Sequence, residues 1–330
     1  MKLFTRSRFI QSLLAATALT VFGPPILAQS NFPNKPVTVI TAFPAGSGPD
    51  SVIRQVGDKL SKLWNQPVLV QNKPGGGGFI AIEAAKNAAP DGYTLLQLDG
   101  EHLGALPVLY KSKNFVPLNN FDPVATIFRT SFLVAVPTDS KWKNMKDLID
   151  AAKASPGKVN FGSWGIGSPG HMGGEQLELL TGIEMTHVAY REMGQLFTSV
   201  GSGELQWSFG SIPSSAGIFK AGKLRYIAVA APKRLPQMPD VPTVAEAGGP
   251  AGFEVTSFVA LVSPKGLSKD LQTKISADVA KVLADPEVKA KFDTFAFEPI
   301  SWSPEEIRSA TDAKYKIYDQ LAKRKNISLD

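Results

Sequence analysis

The chain has no cysteine, and only three histidines in 330 residues. Without a thiol there is no disulfide framework, no cysteine nucleophile and no cysteine-ligated zinc. About 300 residues are long enough to build a core without such staples. His102, His171 and His187 offer little for a metal centre, and His-Glu-x-x-His is absent. His171 and Glu175 would share a helix face at i, i+4, but two candidate ligands do not make a metal site. Gly-x-Ser-x-Gly is missing as well, so there is no nucleophile elbow. The enzyme reading left open is an exported α/β hydrolase whose Ser/His/Asp set comes from distant segments. No residues are assigned to catalysis, a metal or a cofactor.

Charge of one sign is scarce too. The 35 Lys and Arg against 29 Asp and Glu give a net charge of +6. Half of that surplus is Lys2, Arg6 and Arg8. No Lys/Arg run and no basic stripe interleaved with aromatics follows, which argues against a nucleic-acid partner. Beyond the first thirty residues no apolar run is long enough to span a bilayer. Those residues read as a secretory signal over 1–28: a basic start, an apolar stretch from Phe9 to Phe22, and Pro24-Pro25-Ile26-Leu27-Ala28 before the cut. The expectation is an exported, soluble, periplasmic protein.

What the chain does have is a regular alternation of β-rich runs and helical patterns, the signature of α/β layers with largely parallel sheets. Strands are predicted over Val37–Ala42, Val68–Gln71, Thr94–Leu98, Phe132–Pro137, Val159–Gly162, Met185–Val188, Leu205–Phe209, Leu224–Ala230 and Thr256–Val262. Helices are predicted over Asp50–Leu63, Ile80–Asn87, Met145–Ala154, His171–Thr181, Leu196–Gly201, Ser214–Lys220, Leu267–Ala284, Pro286–Phe295 and Pro304–Lys325. Composition shifts at Lys111–Pro123 and Pro232–Gly252 interrupt the alternation. They suggest one domain built from 31–127 and 252–330, with a second, 128–251, inserted between them. Paired α/β domains enclose a cleft, and open α/β sheets bind ligands beyond their strand C-termini.

Two places stand out in that frame. After the strand at Val37 comes Phe43-Pro-Ala45-Gly46-Ser47-Gly48, then a helix start at Pro49-Asp50-Ser51. Unpaired N–H groups at a helix N-terminus and the helix dipole together attract anions. The turn lacks the Lys-Ser/Thr ending of a P-loop and does not fit Gly-x-Gly-x-x-Gly, so a carboxylate is a better candidate than a nucleotide. The same order recurs at Ser163-Trp164-Gly165-Ile166-Gly167-Ser168-Pro-Gly-His171. One such loop is an ordinary βα connection. Two, one per domain, point to a shared anion site. Asn72-Lys-Pro followed by four glycines is a third turn, either cleft-lining or a plain connection.

Some side chains carry two readings each. Glu101, after the strand at Thr94, is either a ligand-ammonium partner or part of a solvated helix start. Arg191, after Tyr190, either reads a second carboxylate or pairs with Glu192 in solvent. Trp164 either stacks on a ligand ring or packs against its own domain.

With these segments placed, the chain resembles the receptors of the tripartite tricarboxylate transporters, the Bug family of periplasmic solute-binding proteins. The likeness rests on Phe32-Pro-Asn-Lys-Pro-Val-Thr-Val-Ile, Phe43-Pro-Ala-Gly with Asp50 and Arg54, and Asn72-Lys-Pro-Gly-Gly-Gly-Gly. It continues through Ala89-Pro-Asp-Gly-Tyr-Thr-Leu-Leu, Ala221-Gly-Lys-Leu-Arg-Tyr-Ile-Ala-Val, Pro239-Asp-Val-Pro-Thr-Val-Ala-Glu-Ala-Gly and Ala284-Asp-Pro-Glu-Val. The resemblance implies a two-domain Venus flytrap, monomeric, that closes on a small carboxylate and hands it to two membrane subunits. It also implies that Phe43 to Ser51 and Ser163 to His171 grip the carboxylate through backbone N–H groups and water. A receptor that feeds a two-component sensor is the alternative within this class. Gly210-Ser211, Arg191-Glu192 and Glu101-His102 depart from the family's usual residues, around the expected distal end of the pocket. Glu101, Trp164 and Arg191 are therefore the candidates for ligand identity, with Tyr190 and Ser211 beside them among the expected ligand-binding residues.

Overall fold

In the computed structural model, residues 32–330 are described, so the secretory leader expected over 1–28 lies outside the described residues. The chain opens with β1 (Val37–Thr41), α1 (Gly48–Trp64), β2 (Val68–Asn72), a 3-10 turn at Gly76–Gly78 and α2 (Phe79–Lys86). Next come β3 (Thr94–Asp99) and three short helices, α3 (Gly100–Gly104), α4 (Leu106–Leu109) and α5 (Pro117–Asn120). The long β4 (Phe121–Ser131) leads into β5 (Leu133–Pro137) and α6 (Met145–Ala154). Two βα units follow: β6 (Asn160–Ser163), α7 (Pro169–Thr181), β7 (Thr186–Ala189) and α8 (Met193–Gly201). Then come β8 (Trp207–Gly210), α9 (Ile212–Lys220) and β9 (Leu224–Val229). The chain ends with β10 (Thr256–Pro264), α10 (Lys269–Leu283), α11 (Pro286–Phe295), β11 (Phe297–Pro299) and α12 (Pro304–Lys325).

These strands make two sheets, in the orders β11-β4-β10-β3-β1-β2 and β7-β6-β8-β5-β9. In the first, β1 pairs parallel with β2 and β3, whereas β10 runs antiparallel between β3 and β4. In the second, β6 pairs parallel with β7 and β8, whereas β5 runs antiparallel between β8 and β9. The sheets are therefore mixed rather than largely parallel, each with one reversed strand in its interior. They share one plan, and in it β1 and β6 hold the same place. This is an internal correspondence that the residues themselves do not reveal.

The chain passes between sheets at Phe132, and again between Val229 and Thr256. Residues 128–131, expected in the inserted part, are the end of β4 and belong to the first sheet. That strand was not expected because Pro123 breaks its pattern. Pro123 sits opposite Val262 beside a register irregularity, a position that tolerates the missing donor.

Each sheet has its own apolar cores. Ile40, Leu96, Phe121, Phe258 and Val262 gather on the first sheet, and Val134, Phe161, Trp207, Phe209 and Ile227 on the second. A further cluster joins Val108 and Leu109 of α4, Met172 of α7, and Tyr318 and Leu321 of α12. No helix among the described residues is long and apolar enough to cross a membrane.

Candidate functional site

The opening loop leaves the C-terminal end of β1 and closes in a turn, with Ser47 N–H donating to the Pro44 carbonyl at 3.2 Å. Ser47 caps α1: its hydroxyl accepts from Asp50 N–H at 3.4 Å and its carbonyl from Ser51 N–H at 2.9 Å. The Asp50 side chain is buried. It accepts from Gly46 N–H at 2.8 Å, from Asn72 Nδ2 at 2.7 Å and from Arg54 Nε at 3.1 Å. Burial works against this carboxylate, but the bonds from Asn72, Gly46 and Arg54 outweigh it and hold its pKa below the ordinary aspartate range. Asp50 thus organises the loop from behind. Gly46, at φ +79°, is turned so that its N–H points inward to that carboxylate. The expected row of outward N–H groups is accordingly shorter. Those of Ala45 and Gly48 have no acceptor among the described residues, and the Phe43 carbonyl is tied to Asn72 at 3.0 Å.

The second loop stands in the equivalent place, at the end of β6, and has a different brace. Ser168 caps α7 through His171 N–H at 3.4 Å. Gly167 N–H donates to His171 Nδ1 at 3.1 Å, which leaves the imidazole proton on Nε2, 3.5 Å from Glu175 Oε1. The ring of His187 lies 4.0 Å from that of His171, and its Nε2 is 2.7 Å from Ser163 Oγ. Ser163 Oγ also donates to the Gly165 carbonyl at 2.9 Å. Burial, with His171 alongside, pushes the pKa of His187 down to about 4. Beyond Glu175 the chain of contacts reaches α12. Lys325 Nζ is 3.4 Å from Glu175 and is also ion-paired with Glu178. Burial raises the pKa of Glu178 and outweighs Lys325; for Glu175, His171 and Lys325 win and the pKa falls. Ser163 and His171 are therefore buried braces, and the N–H groups of Trp164, Ile166 and Gly170 have no acceptor among the described residues, Ile166 being exposed, Trp164 half-buried and Gly170 buried beneath the Trp164 ring.

The remaining candidates sit around these loops. Trp164 is half-buried against Phe132, ring centroids 5.2 Å apart, and covers Gly170. The Tyr190 ring lies against Gly162, and its N–H donates to the Ser163 carbonyl at 2.9 Å. Arg191 and Glu192 are both exposed. Ser211 caps α9 and exchanges hydrogen bonds with Ser214.

Glu101 is a correction. It is neither a solvated helix start nor open to a ligand, but buried, with Lys314 Nζ at 2.6 Å, Tyr318 OH at 2.8 Å and Ser257 Oγ all on its carboxylate. Burial, with Glu101 facing it, pushes the Tyr318 pKa well above its usual value. Its partners lie 156 to 217 residues away in sequence, so nothing local announces them. The braces Asn72, His187 and Lys325 went unseen for the same reason. The i, i+4 spacings of Asp50 with Arg54 and of His171 with Glu175 were the local signals of such contacts.

Each loop abuts an element associated with the other sheet. A side chain at Gly48 would meet Pro213 of α9 at 3.5 Å, and one at Gly167 would lie 2.3 Å from Leu109 of α4. An open groove of about 620 Å³ flanks the opening loop on its other side, between α1 and α11, touching Gly46, Asp50 and Ser51.

Against known proteins, the family model described as "Tripartite tricarboxylate transporter family receptor" matches residues 52–328. A relative from Cupriavidus necator, "UPF0065 protein in gbd 5'region", is 33% identical over 290 residues, 86% of each chain. Among solved structures, "R. palustris Rpa4515 with adipate" is 28% identical with a TM-score of 0.80, over 90% of this chain and 99% of that one. "MatC (Rpa3494) from Rhodopseudomonas palustris with bound malate" is 25% identical with a TM-score of 0.77, over 88% and 99%.

Proposed function

The chain belongs to the tripartite tricarboxylate transporter receptor family, with the two-domain fold of periplasmic solute-binding proteins, and from that premise we propose that it is an exported, monomeric receptor that captures a small organic carboxylate and delivers it to two membrane subunits. The observation that carries this reading is the matched pair of glycine loops. Two loops at equivalent places in two sheets, each ahead of a helix N-terminus and each with N–H groups lacking acceptors, suit one anion held from two sides. The adipate and malate held by two relatives agree with that chemistry.

On this reading the two domains correspond to the two sheets, 33–131 with 256–330 and 132–255. Ligand touching both loops favours the closed form because that form alone contacts it twice. Ala45, Gly48, Trp164, Ile166 and Gly170 supply backbone donors. Ser47, Asp50, Ser51, Ser163, Gly165, Ser168 and His171 shape the loops, and Phe43, Tyr190, Arg191 and Ser211 form the surroundings that select the ligand. Each N-terminal contact supplies about 0.3–2 kcal/mol. No chemistry is done on the ligand.

The test is a thermal-shift screen of 29–330 with acetate, succinate, L-malate, adipate, citrate and benzoate. At least one is expected to raise Tm by several degrees without being consumed. Gly46→Pro, which removes the N–H held by Asp50 and cannot adopt φ +79°, should abolish that rise. No shift with any compound, or turnover of one, would sink the receptor reading.

A further inference from the structure

At the end of β3, beside the opening loop, lies a charged pair that the reading above does not use. His102 Nδ1 is 2.5 Å from Asp99 Oδ1, so the ring proton on this nitrogen points at the carboxylate. Asp99 also accepts from the N–H groups of Glu101, at 3.1 Å, and His102, at 2.8 Å. The side chain of His102 is 16% exposed. Its other nitrogen, Nε2, has no hydrogen-bond partner among the described residues. Nε2 lies on the side of the ring that faces the four-glycine turn, 2.6 Å from where a side chain at Gly78 would begin.

Three further facts place this ring at the ligand end of the sheet. Phe43 of the opening loop sets its ring edge-on to the imidazole, with centroids 5.8 Å apart. The four-glycine turn makes room for it: a side chain at Gly78 would stand 2.2 Å from His102 Cδ2. And β3 neighbours β1 in parallel, so α3 leaves the sheet at the same edge as the opening loop.

Resting on the receptor reading, we propose that His102 is a specificity residue, an imidazolium whose Nε2–H donates to a carboxylate oxygen of the ligand. Glu101, the neighbour that sequence pointed to, is turned away onto Lys314 and Tyr318, and the charge left facing the site is positive. Asp99 keeps it so. Burial lowers the pKa of His102, but the adjacent Asp99 outweighs burial and the value is raised. Asp99 itself is held low, with His102 outweighing its burial. The other charged or titratable groups facing this pair are Glu101 on α3 and Lys314 and Tyr318 on α12; Phe43 and Gly78 bring no charge. A fixed cation selects ligands of higher negative charge over uncharged analogues of the same shape.

The experiment is titration calorimetry of the same six carboxylates against wild type, His102→Gln and Asp99→Asn from pH 6 to 9. Acetate and benzoate are ionised throughout that range, and for the polycarboxylates any last proton lost near pH 6 would raise affinity with pH, opposite to the expected trend. Wild-type affinity should fall as pH rises and the imidazolium is lost. His102→Gln should bind roughly tenfold or more weakly at pH 6 and show a flat profile. Asp99→Asn, which keeps the ring and removes its partner, should move the fall to lower pH. A wild-type slope retained in His102→Gln, or a flat wild-type profile, overturns the proposal. Should His102→Gln not fold, nitrogen-15 NMR of the three histidines of the wild type decides: a His102 Nε2 signal unmoved by saturating ligand overturns it. Failure of wild type to bind any of the six would instead overturn the receptor reading, and the proposal with it.

Discussion

His171 and His187 show how much of a binding loop is made of residues that never meet the ligand. One imidazole accepts from Gly167 N–H and the other bonds Ser163, so the shape of the second loop depends on two adjacent, mutually tilted rings beneath it. This has a thermodynamic signature. In the unfolded chain His187 takes up a proton near pH 6.5; in the fold it resists until about pH 4. Between those values the unfolded state binds more protons, so stability is lost as pH falls through that window, by at most about 3 kcal/mol. His187→Phe keeps a ring between Phe161 and His171 and removes the titration. Urea unfolding at pH 7 and pH 4.5 should then show a smaller acid loss in the variant than in wild type. Equal losses would mean that His187 is not the titrating group.

Among the elements, α12 does the most to tie distant parts together. Its Ser303 cap and Glu306 form a reciprocal capping box, its middle carries Lys314 and Tyr318 to Glu101, and its last turn carries Lys325 to Glu175 and Glu178 on α7. Lys325→Met leaves two buried carboxylates without their cation. The expected cost is about 1–3 kcal/mol at pH 7, read from urea midpoints at unchanged m-value, and smaller at pH 5 as Glu178 takes up a proton. A change under about 0.5 kcal/mol would show the ion pair to be ornamental. Helices such as α6 and α12 were legible in the sequence because their signals are local: a polar cap, an apolar stripe, a stop. The two glycine loops were legible for that reason also. What lay hidden is non-local. The length of β4 is masked by Pro123, the fate of Glu101 is decided by α12, and the bracing of Ser163 depends on His187, 24 residues on in β7.

For the molecule as a whole, the repeated plan of the two sheets explains why two loops of like composition sit where they do: each follows the same strand of the same arrangement. The reversed strands have a different consequence, which concerns the order of events rather than the finished shape. In the first sheet β10 lies in the middle, bonded to β3 on one side and β4 on the other, although 166 positions separate Leu96 from its partner Val262. A nascent chain ending before Thr256 therefore holds β3 and β4 with an empty lane between them, and loop closure cannot be repaid until the last quarter of the protein has been made. In a chain truncated at Val255 the amides of β1 and β3 are expected to lose hydrogen-exchange protection while those of the second sheet keep it, and protected β1 and β3 amides would refute this. Late completion keeps the first sheet open until synthesis nears its end, which would suit the export that the proposed function entails.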